Sequence, residues 1–256
     1  MAASAGAGSG APPTPPPSLR ILAIGDSLTE GYWDGGMRFA PYAPRLRDLL
    51  AGALPAGARV TVDERGRSGE FVVPDMERRL ADTLEDDGPY DAVCLLGGTN
   101  DICSGARAAE VLAALARMHA AVAASGARLV AMTLPPFNLA DAFLAPRAAA
   151  ELAALNAGLR ARWAARGSSG SGSGTQSSGP GEKGRGAPEG SLLVDLEPLF
   201  PTGGADPAAE ALLWDDGLHL RPAGYARFAD AVFAALAPEL LRGGDGSGGG
   251  DGSGDR

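Results

Sequence analysis

The stretch LRILAIGDSLT, residues 19–29, begins as a nearly unbroken apolar run and stops abruptly at Gly25, Asp26 and Ser27. A strand with one solvated face alternates apolar and polar residues. A run such as Leu19–Ile24, apolar at most consecutive positions, reads instead as a strand covered on both faces, the setting of a parallel sheet. Four further runs of aliphatic and β-branched residues bounded by Gly, Asp or Pro follow along the chain: Arg59–Asp63, Asp91–Leu96, Arg128–Leu134 and Leu192–Leu196. Helical patterns lie between them. Residues 43–54 carry Leu46, Leu49 and Leu50; Val111, Leu115, Met118 and Val122 share one face, as do Leu152, Leu155, Leu159 and Trp163. Tyr225, Phe228, Val232 and Leu236 mark a last helix, with Pro222 at its first turn. This alternation predicts an α/β fold: a doubly wound, five-stranded parallel sheet in the order 2-1-3-4-5.

Composition bounds the rest. The 256 residues include 38 Gly and 20 Pro, concentrated in residues 1–17, 167–190 and 243–256. The two ends and the GSSGSGSGTQSSGPGEKGRGAPEG segment (167–190) are expected to be flexible coil, leaving one domain over 18–242 with an insertion in a surface loop. The net charge of −9 repels nucleic acid. No run of about 18 apolar residues exists to span a membrane. The first 17 residues lack the basic and leucine-rich regions of a secretory signal, so the cytoplasm is the default compartment and a monomer the default state. The only lysine is Lys183, which excludes a phosphate-binding GxxxxGK[ST] loop and a core Schiff-base lysine. The two cysteines, Cys94 and Cys103, form no metal-binding pattern, and no HExxH motif is present, so neither metal nor cofactor is expected.

Doubly wound sheets present ligands at the carboxyl ends of their strands. The first run ends in Gly25-Asp26-Ser27-Leu28-Thr29, the second is followed by Arg65-Gly66-Arg67-Ser68-Gly69-Glu70, and the third ends at Gly97-Gly98-Thr99-Asn100-Asp101. A loop after the fifth holds Asp216-Gly217-Leu218-His219. A serine hydroxyl needs a base to become a nucleophile, imidazole supplies one near neutral pH, and a carboxylate on its other nitrogen fixes the tautomer. A developing oxyanion needs donors already in place. The backbone N–H of Ser27, the N–H of Gly69 (or of Gly66) and the Asn100 carboxamide are candidates. These parts suffice for acyl transfer. The absence of Gly-x-Ser-x-Gly argues against an α/β-hydrolase elbow, and no Gly-x-Gly-x-x-Gly follows the first strand.

In this order, GDSL, RSGE, GGTND and DGLH resemble the four blocks of the SGNH hydrolase (GDSL esterase/lipase) family, and the resemblance spans residues 18–241. It implies a flavodoxin-like three-layer α/β/α sandwich and a serine esterase. In such an esterase Ser27 is the nucleophile, His219 the base and Asp216 its orienting acid, with Ser27, Gly69 and Asn100 forming the oxyanion hole. Family members often carry Asn five residues before the second-block glycine, where this chain has Glu64.

Asp26 and Asp101 read as acceptors holding the turns of Ser27 and Asn100. His119, among alanines in a helix, reads as a satisfied or surface residue remote from the chemistry. Tyr32, Trp33 and Phe39 after the nucleophile, and Phe137 with Leu139 and Phe143 after the fourth strand, suggest an apolar rim for the acyl or alcohol group. The expected partner is a small-molecule, lipid or carbohydrate ester. A carbohydrate deacetylase or acyltransferase of the same family, or a binding module without catalysis, are the alternatives.

Overall fold

A computed structural model describes residues 18–138, 145–167 and 186–242. The predicted tails, most of the predicted insertion, and Leu139 and Phe143 lie outside the described residues.

The first strand, β1 (Ser18–Gly25), leads into a single helical turn, α1 (Ser27–Glu30). A short antiparallel hairpin follows, β2 (Tyr32–Trp33) and β3 (Arg38–Phe39), then α2 (Tyr42–Ala53). Next come β4 (Arg59–Gly66), α3 (Glu77–Asp86), β5 (Ala92–Leu95), α4 (Thr99–Cys103), α5 (Ala108–Ala124) and β6 (Arg128–Met132). The chain continues through α6 (Ala145–Gly167), β7 (Leu192–Val194), α7 (Pro207–Leu213) and α8 (Pro222–Arg242).

The main sheet is parallel with order β4-β1-β5-β6-β7, the predicted 2-1-3-4-5 pattern. α2 and α8 pack together on one side, and α3, α5 and α6 form the other layer. The central strands explain why the apolar runs were continuous: every residue of β5, and Leu22 to Gly25 of β1, is buried. β4 is an edge strand and largely half-exposed, so its polar end, Glu64 to Gly66, belongs to the sheet although only Arg59–Asp63 was predicted. Tyr42 of α2 stacks on Phe228 of α8 at 4.3 Å, joining the two helices of one layer.

His119 is a buried residue, not a surface one. It is 1% exposed on α5, and its ring meets Trp163 of α6 edge-on at 5.6 Å. Its Nδ1 has no hydrogen-bond partner among the described residues. Burial, aided by the charge of Arg162, pushes its pKa down to about 3. The unfolded chain therefore binds a proton near pH 6.5 that the folded chain refuses, so stability falls as pH drops from about 6.5 towards 3. Acid unfolding of the wild type is expected to be steeper across this window than that of His119→Leu. His119→Ala leaves a cavity and is expected to cost about 2–4 kcal/mol while changing kcat less than about threefold. Urea denaturation at several pH values and ester hydrolysis measure the two effects.

Candidate active site

β1 pairs with β4 on one side and β5 on the other, so connections leave its carboxyl end in opposite directions and open a crevice there. Ser27 begins α1 at that point. Asp26 caps the helix: its Oδ1 accepts the Leu28 N–H at 3.0 Å, the expected role. Burial pushes its carboxyl up to about 6, against the Leu28 N–H and the nearby His219, which lower it.

Asp216 and His219 come from the loop between α7 and α8. Asp215 N–H donates to the His219 carbonyl at 2.9 Å, and Trp214 bridges to Leu220, closing the loop into a tight turn. Gly217, with φ +83°, supplies the left-handed residue that this turn needs. Asp216 Oδ1 accepts the backbone N–H groups of Leu218 (2.9 Å) and His219 (2.7 Å). Its Oδ2 lies 2.7 Å from His219 Nδ1, and His219 Nε2 lies 3.1 Å from Ser27 Oγ. An ionised carboxylate only accepts, so Nδ1 carries the proton and Nε2 is free to accept from the serine hydroxyl. Desolvation opposes charge on Asp216, but the His219 ring and the two backbone donors outweigh it and hold its carboxyl below the ordinary carboxylate range.

The second and third blocks are knitted together beside Ser27. Asn100, in the first turn of α4, donates one Nδ2 hydrogen to the Glu70 carbonyl at 2.9 Å and keeps the other. Gly69 has φ +77°, and no protein atom lies within 4 Å of where its Cβ would sit. Gly66 is different: its N–H is taken by Glu64 Oε1, and a Cβ there would lie 2.1 Å from the Glu30 nitrogen. Gly66 is thus a packing glycine whose N–H is already engaged, and of the two glycines Gly69 is the one with space before it. Glu64 braces this turn through the Gly66 N–H.

Asp101 does more than was expected. Its Oδ2 accepts the Val72 N–H at 2.9 Å, so it also holds the chain beyond Gly69. A further brace was missed. Arg79 of α3 pairs with buried Glu70 (Nε–Oε1 2.7 Å) and donates to the carbonyls of Arg65 (2.7 Å) and Gly25 (3.1 Å). One guanidinium thereby ties the ends of β1 and β4 to the Gly69 loop, while Glu30 accepts from the Ser68 N–H and hydroxyl. Cys103 is no rival nucleophile, since burial and then the Asp26 charge push its thiol up to about 11. No cluster of three His, Cys, Asp or Glu that could hold a metal occurs among the described residues, and none of their helices is long and apolar enough to cross a membrane.

The aromatics expected to line a rim have separate fates. Tyr32 lies against His219; Trp33 is partly buried against the core beneath Arg38; Phe39 is 50% exposed; Phe137 is half-buried against the core. A pocket of about 680 Å³ opens where the chain after Gly69 meets α4 and α5, lined by Phe71, Val73, Ser104, Ala106 and Val111, with Asp101, Glu110 and Arg117 among its polar residues. Ser27, Asn100 and His219 are not among its lining residues.

The family model described as the GDSL-like Lipase/Acylhydrolase family matches residues 23–169, more than half of the chain. The chain belongs to this family. It is therefore an acylhydrolase, an enzyme of the carboxylic ester hydrolase class. The search of curated proteins found no match. Among solved structures, the acylhydrolase is similar to a family 3 carbohydrate esterase from Clostridium thermocellum, with 20% identity and a TM-score of 0.60 over 90% of this chain and 100% of that one. It is also similar to a carbohydrate acetylesterase family member from Sinorhizobium meliloti (19%, TM-score 0.57, 88% and 97% covered). A third is a member of the lipolytic G-D-S-L family from Veillonella parvula DSM 2008 (18%, TM-score 0.58, 84% and 97% covered). At these identities the likeness carries the fold, and the three-layer sandwich is common to them.

Proposed function

We propose that this acylhydrolase cleaves carboxylic esters through an acyl-enzyme on Ser27. The observation that carries the reading is the unbroken chain from Asp216 Oδ2 to His219 Nδ1 at 2.7 Å and from His219 Nε2 to Ser27 Oγ at 3.1 Å. In the first half-reaction His219 Nε2 takes the hydroxyl proton as Oγ attacks the ester carbon. The oxyanion is met by the Ser27 and Gly69 N–H groups and the free Nδ2 hydrogen of Asn100. Collapse expels the alcohol, to which Nε2 returns the proton. Water, activated by the same nitrogen, then releases the acid.

The pocket walled by Phe71, Val73 and Val111 reaches Asp101, the residue after Asn100, which supports an ester with an apolar group over an acetylated sugar. A series of p-nitrophenyl esters of increasing acyl length, run beside acetylated sugars, tests this. Faster turnover of the sugars overturns the preference, and failure of a fluorophosphonate to label Ser27 overturns the mechanism.

Asn100→Ala is expected to lower kcat by about 10²–10³-fold with KM nearly constant, because its donor meets charge that exists only in the transition state. Ser27 should still be labelled, slowly. A raised KM with kcat spared would make Asn100 a residue that holds bound substrate or the Glu70 loop instead.

A further inference from the structure

We propose that Tyr32 is a positioning residue for His219, packing on one face of the imidazole and meeting the charge that develops there during turnover. The proposal rests on the Ser27–His219 reading and deepens it.

The ring centroids of Tyr32 and His219 are 4.3 Å apart with an interplanar angle of 38°. Asp216 and Ser27 engage the imidazole only through its two nitrogens. The Cβ–Cγ bond and these two hydrogen bonds set the plane of the ring but leave its faces uncovered. The tilted Tyr32 ring covers one of them. The face of a phenol ring is electronegative and attracts a cation more than a neutral ring. His219 is neutral before attack and cationic once it has taken the serine proton, so the contact strengthens as the reaction proceeds, the condition for raising kcat rather than merely binding.

The surroundings hold Tyr32 in this role. Tyr225 O–H donates to the Tyr32 carbonyl at 2.7 Å, and Phe39 meets the Tyr32 ring edge-on at 6.1 Å. Gly36 comes so close that a Cβ there would sit 2.7 Å from a Tyr32 ring carbon, so the hairpin backbone itself closes over the ring. Asp34 N–H donates to Asp215 Oδ2 at 2.7 Å, which fastens the hairpin to the loop carrying Asp216 and His219. Tyr32 thus moves with the base, a different duty from the substrate contact expected of it.

The test compares Tyr32→Leu and Tyr32→Phe on p-nitrophenyl butyrate, with fluorophosphonate labelling of Ser27 followed in time. Tyr32→Leu is expected to lower kcat about 5–30-fold, the range that a desolvated cation–ring contact provides, with KM within about twofold. Labelling should slow by a similar factor. Tyr32→Phe keeps the ring and should remain within about threefold of wild type. Leucine fills similar space, so rescue by Phe but not by Leu separates an aromatic effect from packing. Unchanged kcat in Tyr32→Leu, equal impairment of both variants, or a raised KM with kcat spared would each overturn the proposal. If wild-type Ser27 is not labelled at all, the mechanism fails first. Labelling of wild type and Tyr32→Leu at the same rate fails this inference alone.

Discussion

Ser27→Ala and His219→Ala are each expected to lower kcat by about 10³–10⁶-fold on p-nitrophenyl esters, and the double variant by no more than the worse single one. Non-additivity follows from the geometry. Ser27 Oγ and His219 Nε2 share one hydrogen bond at 3.1 Å, and neither group does its part alone: the hydroxyl is unreactive without the base, and the base has no proton to take without the hydroxyl. Neither change removes a core side chain, so the unfolding free energy should stay within about 1 kcal/mol of wild type. The comparison with His119→Ala is internal to the protein: one histidine variant abolishes activity and spares stability, and the other does the reverse. Residual activity within tenfold of wild type in either active-site variant would remove that residue from the chemistry.

What was legible in the sequence follows from where burial was two-sided. β1, β5 and β6 lie inside the sheet, so their residues are apolar almost without interruption and their boundaries stood out. The edge strand β4 was read short because its last residues, Glu64 and Arg65, carry charges that an exposed edge tolerates. α3 has a narrow apolar face, Leu80, Thr83 and Leu84, which went unread among six charged residues. Yet this helix provides Arg79, which ties the Arg65 and Gly25 carbonyls to the Glu70 side chain beside Ser27. Burial of that guanidinium is a property of the assembled loops, not of the helix sequence.

The site itself shows the same division. Strand ends could be read for residue type, and Ser27, Asn100, Asp216 and His219 were singled out because each carries a side chain suited to one step of acyl transfer. Which acceptor serves which donor could not be read. Asp101 follows Asn100 directly but binds Val72, because α4 turns its carboxylate towards the neighbouring loop. Tyr32 looked like a substrate contact because it lies five residues after Ser27. It meets His219 through a fold that joins positions 187 apart, and nothing local marks that contact. For His119 the alanine neighbours left a satisfied and a surface reading open, and only the fold shows Trp163 on α6 closing over it.

Asp216→Asn, nearly isosteric, is expected to lower kcat about 10⁴-fold, because the substitution inverts a proton's position. Asp216 Oδ1 accepts two backbone N–H groups, from Leu218 and His219, within 2.9 Å. In the asparagine variant the carboxamide oxygen must stay there, since turning the NH₂ group towards two donors would leave all of them unsatisfied. The NH₂ group then faces His219 Nδ1 and donates to it. Nδ1 becomes the acceptor, the ring proton moves to Nε2, and Nε2 can no longer accept from Ser27. Asp216→Ala makes no such demand on the tautomer. The carboxylate it removes is 47% exposed, so water can reach Nδ1 in its place. Alanine should therefore be the milder change, although it is the larger truncation. The wild-type carboxyl is held below the ordinary carboxylate range, so it remains ionised in mild acid, and its contribution is lost only as pH falls through that lowered value. The order of the two variants is the decisive measurement. If asparagine retains more kcat than alanine, Asp216 acts through packing and position, and its charge and acceptor geometry are not what fixes the base.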